Sequence, residues 1–411
     1  MLGSAALEEV TLRSVEEHLA HVLGLAGRLE AEVCGIGAGD GRVLAEDLLA
    51  RVPVPPFDNS AMDGFAVRAD DLAPGISLRV VGDIPAGAEV LPTVGPGEAA
   101  RIMTGAPMPP GADAVVPVEQ TDQPVGAVAL PETVRITEPV AAGRHVRRRG
   151  EDVDVGELAL RAGLRWGPAA ASAAASLGYA EVPLIRRPRV AVLATGSELV
   201  AAGERLGTGQ IPDSNSWLVS GLVRQFGAEV LTAGRIGDDP REFAAALEAA
   251  GEADLVVTTG GVSVGAFEVV RQVTQGDVDF VTVAMQPGKP QASGLLRLGE
   301  ARQVPMLGLP GNPVSVFVSA WVFVKPLIDL MAGRQEMAQC FEAVAVVGWS
   351  GPGPRRQYIP VVLTEEGVSP VHRLGSGSHL VASLALADAL AVVPEGISEV
   401  RAGDTVTCLR V

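Results

Sequence analysis

Three glycine- and proline-rich turns carry much of the chemistry open to this chain, because each follows a β-prone run and offers donors to an anion. Gly260-Gly261-Val262-Ser263-Val264-Gly265 follows residues 254–259 and precedes a helical pattern. Glycines at such a junction let backbone N–H groups approach a phosphate at the positive end of a helix. Pro287-Gly288-Lys289-Pro290 follows residues 279–284, and Lys289 offers a compact point charge suited to phosphate. In Leu309-Pro310-Gly311-Asn312-Pro313, Asn312 is placed to cap the next helix and Pro313 to open it. Each turn alone is more often structural than functional, but three on adjacent strand ends point to an anionic ligand. The segment 261–265 also satisfies G-x-S-x-G, the nucleophile elbow of serine hydrolases, with His372 or His379 as the downstream base.

Carboxylates stand in comparable places. Asp63 and Glu198 lie in glycine-flanked turns at strand ends, where they could hold Mg²⁺ against a phosphate, and Asp58, Asp152 and Asp238-Asp239 are further candidates. The run Arg144-His145-Val146-Arg147-Arg148-Arg149 is the densest positive patch and reads equally as a solvated face or an anion holder. Of 32 cations only Lys289 and Lys325 are lysine. P-loop, zincin and thioredoxin patterns are absent, and three scattered cysteines make neither a disulfide framework nor a zinc knuckle, as expected of a reducing compartment.

A chain of 411 residues is too long for one core at ~100–200 residues per domain. Its net charge of −17 and its few aromatics argue against nucleic acid and anionic membranes as partners. No basic segment followed by an apolar run opens the chain, so a cytoplasmic setting is expected. The apolar stretch Val314–Val324 is about half the ~20 residues of a bilayer span and predicts a buried helix. Ser14 to Glu17 forms a capping box ahead of Val15, Leu19, Val22, Leu23, Ala26 and Leu29 at helical spacing. That helix is expected to pack with an Ala-rich one within 163–179, completing a helical or linking domain (1–52 with 150–187) interrupted by a β-rich insert (53–149). Residues 188–335 alternate strands with helices at 214–226, 239–250 and 313–331, which predicts a parallel sheet covered on both faces, with ligands at the strands' carboxyl ends. A small β domain, 336–411, follows.

Phe57-Asp58-Asn59-Ser60-Ala61-Met62-Asp63-Gly64, Met103-Thr104-Gly105-Ala106-Pro107, Arg148-Arg149-Gly150-Glu151-Asp152 and the three turns above closely resemble, in order over nearly the whole chain, the molybdopterin molybdenumtransferase family, which includes the E domain of gephyrin. The resemblance implies a multidomain α/β plus β protein with a molybdopterin-binding-type α/β domain, an all-β insert and a barrel-like C-terminal domain, assembled as a homodimer. It implies insertion of molybdate into adenylylated molybdopterin with release of AMP dependent on a divalent metal, Mg²⁺ or another, and transient contact with the molybdopterin adenylyltransferase. Positions matching the family's functional ones are Asp63, Thr104, Glu198 and Asp238 as catalytic residues. Substrate binding would fall to Asp152, Gly260, Gly261, Ser263, Gly265, Lys289, Pro310, Asn312, Pro313 and Ser378, and the metal to Glu198, Asp238 and Glu268. Ser197, Glu268 and Gln286 depart from the residues common in the family (Asp, Asp and, in some members, Lys), which leaves a less active paralogue or scaffold as an alternative beside the Ser263 hydrolase.

Overall fold

The computed structural model describes residues 12–126, 128–262, 269–298, 302–335, 339–351, 353–375 and 377–411. It divides into two compact units, one comprising Ile185–Val411 with Gly41–Val43 and the residues up to Glu32, the other Val33–Asp40 with Leu44–Leu184. The architecture is multidomain α/β plus β.

In the first unit a seven-stranded sheet runs, in spatial order, Leu12–Arg13, Val278–Val283, Pro290–Leu298, Arg302–Leu309, Leu255–Thr259, Arg189–Thr195 and Glu229–Ile236. The last four are mutually parallel, as the strand–helix alternation predicts. The sheet is parallel-rich, as expected, with one additional strand, Pro290–Leu298, antiparallel to both neighbours. Its link to Arg302 is too short for a crossover, so the chain can only turn back on itself. Apolar residues on both faces are buried, Val190, Val192, Val257 and Leu307 on one and Ala191, Val256 and Met306 on the other.

The helix Pro313–Met331 fills the first of these cores. By length and composition it could cross a bilayer, but 83% of its most apolar window is buried within the unit, which makes it a core helix as expected. Its middle, Ala320–Val324, is π-helical just ahead of Pro326. Pro326 carries no N–H, so the regular α-helical ladder is interrupted there.

The capping box at Ser14 and Glu17 forms as predicted, and the helix covers Val15–Leu23. It stops at Gly24; Ala26 and Leu29 continue the helical spacing only in sequence, although both still pack on the core. The expected pairing of this helix with the Ala-rich one does not form. Val15–Leu23 packs instead against the long core helix, whereas Pro168–Ser176 lies in the second unit against the turn Ile36–Ala38. The apolar faces of both helices match these partners, Val15 and Val22 on one and Ala170 and Ala174 on the other.

His18, on the buried face of the first helix, stands edge-on to Phe323 at 4.7 Å and its Nδ1 has no hydrogen-bond partner among the described residues. Burial, then the neighbouring Arg13 and His21, push its pKa from 6.5 down to about 4. The unfolded chain therefore takes up this proton before the folded one does, so stability is full above 6.5 and falls by up to about 3 kcal/mol as pH drops toward 4. In denaturant melts at pH 7 and 5, His18→Leu is expected to lose stability on acidification less steeply than the parent; equal slopes would contradict the assignment.

The second unit contains a five-stranded sheet, in order Ala114–Pro117, Gly64–Val67, Glu98–Ile102, Ser77–Ile84 and Thr133–Arg135. Its two faces bury Phe65, Leu78 and Val116 on one side and Ile84, Ile102 and Val115 on the other. In the first unit, residues 339–411 form a separate sheet in which Arg356–Thr364, Ala389–Val393, Thr405–Arg410 and Cys340–Val344 lie side by side, and Met285–Gln286 joins its edge. The three cysteines form no disulfide.

Candidate active site

A cleft of about 660 Å³ opens where the parallel strands of the first unit end. The turns after Thr195, Ile236, Thr259 and Leu309 reach it together, as the switch-point rule for such sheets anticipates. Of the predicted residues, Glu198, Asp238, Gly260, Gly261, Pro310, Asn312 and Pro313 line it. Gly260 and Gly261 have φ +86 and +65, and a Cβ on Gly260 would come within 2.6 Å of the Thr195 carbonyl oxygen. The Gly260 N–H, however, donates to the Leu309 carbonyl at 3.1 Å, so it is not among the donors open to an anion.

Asn312 stands at the N-cap as predicted, but its side chain makes no capping bond. The Ser378 carbonyl takes that role, accepting from the Val314 N–H at 3.2 Å. A C-terminal segment thus satisfies a helix-start amide that the local sequence leaves open. Lys289 is exposed and does not line the cleft, although Pro290 beside it does. Its ammonium has no partner among the described residues. Ser263, Gly265 and Glu268 lie outside the described residues.

Glu198 and Asp238 come from neighbouring strand ends. Asp238 is tied to Ser197, its Oδ2 accepting from the Ser197 N–H at 3.0 Å and its own N–H donating to the Ser197 hydroxyl at 3.2 Å. The Glu198 carboxylate is exposed and makes no hydrogen bond among the described residues. No group of three or more His, Cys, Asp or Glu is assembled for a metal among the described residues. Two carboxylates on one wall nevertheless suit Mg²⁺, which commonly binds through one or two carboxylates together with substrate phosphates and water.

A second cluster forms in the other unit from the remaining predicted motifs. Asp63 Oδ1 accepts from the Thr104 N–H at 2.6 Å and from the Thr104 hydroxyl at 2.9 Å, joining two predicted catalytic residues. Asp63 also lines a pocket of about 440 Å³ with Phe65, Arg101 and Met103. Asp58 accepts from the Arg149 N–H and the Arg148 guanidinium, both at 2.7 Å, and these two donors hold its carboxyl below the usual range. Arg149 also pairs with Asp154. The basic run is therefore partly neutralised within the unit, while Arg144 and Arg147 stay exposed. Asp152 is exposed, and its backbone N–H donates to the Val54 carbonyl at 2.9 Å.

Asn215 and His379 join the predicted residues in the first site, while Arg355 pairs with Gln286 outside the cleft lining. Asn215 donates from Nδ2 to the Gly311 carbonyl at 2.7 Å, while its buried Oδ1 has no partner among the described residues. Arg355 donates to the Gln286 side-chain oxygen at 2.8 Å and brings a cation to a position where sequence reasoning noted only the loss of one. His379 lines the cleft. A helix-start Asp-Ser-Asn-Ser at 213–216 was the available signal for Asn215; His379 stands out in sequence only as a possible hydrolase base, and nothing local marks Arg355.

Comparison with known proteins accounts for most of the chain. Residues 13–178 match the family described as MoeA N-terminal region (domain I and II), 191–329 the probable molybdopterin binding domain, and 342–411 the MoeA C-terminal region (domain IV). Molybdopterin molybdenumtransferase 2 of Mycobacterium tuberculosis is 40% identical over 407 residues, covering 95% of this chain and 98% of that protein. Molybdopterin molybdenumtransferase of Haemophilus influenzae is 37% identical over 388 residues, covering 92% and 93%. The crystal structure of the molybdopterin biosynthesis moeA protein from Pyrococcus horikoshii superposes with a TM-score of 0.82 at 31% identity, covering 97% of this chain and 99% of that one. With matches of this extent, the chain belongs to the molybdopterin molybdenumtransferase family.

Proposed function

We propose that the protein is a transferase of molybdenum cofactor biosynthesis, inserting molybdate into adenylylated molybdopterin with release of AMP. Relatives at 35–40% identity over nearly the whole chain carry the name of that transfer. The observation that carries the reading here is the cleft itself, where four strand ends bring Glu198, Asp238, the Gly260-Gly261 turn and the start of the long helix together. Glycine-shaped turns and a helix start suit phosphate.

In the reaction a water oxygen attacks the pterin-side phosphorus of the phosphoanhydride and gives its proton to solvent; the new P–O bond forms as the bond from that phosphorus to the bridging oxygen breaks, and the electron pair leaves on the bridging oxygen of AMP while the pterin keeps its phosphate. Glu198 and Asp238 would hold Mg²⁺, which when bound offsets the charge gathering on that oxygen. The backbone at Gly261 and Asn312 positions the phosphates, and Lys289, at the same sheet edge, draws in the anions. Asp63 and Thr104 belong to the catalytic set, with Asp152 and Ser378 in substrate binding. The working form is a cytoplasmic homodimer that receives its substrate from the molybdopterin adenylyltransferase.

The test is incubation of the full chain with adenylylated molybdopterin, Mg²⁺ and molybdate, with AMP and molybdenum cofactor quantified together. Equimolar, molybdate-dependent appearance of both is expected; substrate binding without AMP release would favour a scaffold. Ser263→Ala is expected to keep activity within about threefold of the parent, since backbone donors carry an anion cradle and the hydroxyl is secondary. Loss of all activity together with fluorophosphonate labelling at Ser263 would favour the hydrolase.

A further inference from the structure

Among the described residues lining the cleft, the titratable ones are Glu198, Asp238 and His379. Of these, only His379 carries a side-chain N–H donor. Two carboxylates on a wall meant for a phosphoanhydride repel it unless donors intervene, and hydrogen bonds to ionised phosphate oxygens are among the stronger ones.

The backbone around His379 is built into the site. Ser378 caps the long helix through its bond from Val314, the Leu380 N–H donates to the Gly377 carbonyl at 3.1 Å, and the Val381 N–H donates to the His379 carbonyl at 3.0 Å. The short helix Val381–Leu384 then packs on the first turns of the long helix, whose leading residues Asn312 and Pro313 line the same cleft. The imidazole itself is exposed and has no hydrogen-bond partner among the described residues, so its ring donors are available. The other ring on this segment, His372, is occupied, its Nδ1 accepting from the Leu374 N–H at 3.1 Å.

We infer that His379 is a substrate-binding residue, its ring N–H donating to a phosphoanhydride oxygen of adenylylated molybdopterin in the cleft that Glu198 and Asp238 also line. This rests on the transfer reaction proposed above and adds to it the residue that orients the leaving phosphate.

Steady-state AMP release by the full chain, with adenylylated molybdopterin varied at saturating Mg²⁺ and molybdate, separates the two. His379→Ala is expected to raise KM about tenfold with kcat within about twofold, and His379→Lys to return KM to within about threefold of the parent. Thermal melts of all three should superimpose, because the side chain is exposed. Parental KM in the Ala variant overturns the inference. So does a raised KM that Lys fails to lower, which would assign the effect to the shape of the loop. A parent protein that releases no AMP overturns the transfer reaction itself, and the inference with it.

Discussion

Glu198→Gln is expected to slow molybdate-dependent AMP release by about a hundredfold to a thousandfold while leaving the unfolding midpoint within about 1 °C of the parent. The separation of the two readouts follows from where the residue sits. Its carboxylate is exposed and makes no hydrogen bond among the described residues, so the fold has little to lose when the charge goes. Gln keeps the shape of the side chain, which matters because the turn is tight. Gly196 has φ +147, and a Cβ there would lie 2.5–2.7 Å from the Glu198 carboxylate atoms. What Gln removes is a negative charge on the cleft wall beside Asp238, the pair best placed to hold Mg²⁺ against the phosphates. Single-turnover AMP release at saturating substrate is the measurement, repeated over a range of Mg²⁺ concentrations. A partial recovery at high Mg²⁺ is expected of a weakened metal site. Parental turnover at ordinary Mg²⁺ would remove Glu198 from the catalytic set.

Asp63→Asn is expected to cost about a hundredfold in the same assay, again with an unchanged midpoint. The geometry makes this substitution informative. Both bonds from Thr104, from its N–H and its hydroxyl, end on a single oxygen of Asp63, and an asparagine carbonyl oxygen can accept both. The turn is therefore retained and only the charge is lost. Thr104→Ala does the opposite, keeping the carboxylate and removing one of its two donors, and is expected to fall by a smaller factor. If Asp63→Asn turned over like the parent while Thr104→Ala did not, the pair would be a structural lock and not part of the chemistry.

Much of the local structure was legible in the sequence because it depends on neighbours within a few residues. The capping box at Ser14 and Glu17, Pro240 and Pro313 at helix starts, and the glycines at 260 and 261 are choices made within one turn of chain, and all four appear where the residue types place them. The gathering of Glu198, Asp238, Gly260 and Pro310 was also readable, since parallel strands with short loops deliver their ends to one edge whatever the details. The strand Pro290–Leu298 was missed because it follows the turn Pro287 to Lys289 without the apolar run that marked its neighbours, and its antiparallel sense is set by the hairpin to Arg302. The first helix was assigned the wrong partner because its apolar stripe records a buried face without saying which core buries it.

What only the tertiary structure decided are relations between residues far apart in the chain. Thr104 lies 41 residues from Asp63, Gly311 lies 96 from Asn215, and Gln286 lies 69 from Arg355. Ser378 caps a helix that begins at Pro313. In each case the residue types are ordinary, and their meaning comes from crossover connections and sheet order that bring distant carbonyls and donors within hydrogen-bond reach. Residue type and local spacing thus determine the turns, caps and cores of this protein, whereas the pairing of distant donors with acceptors is decided by packing, because a hydrogen bond depends on position in space and not on separation along the chain.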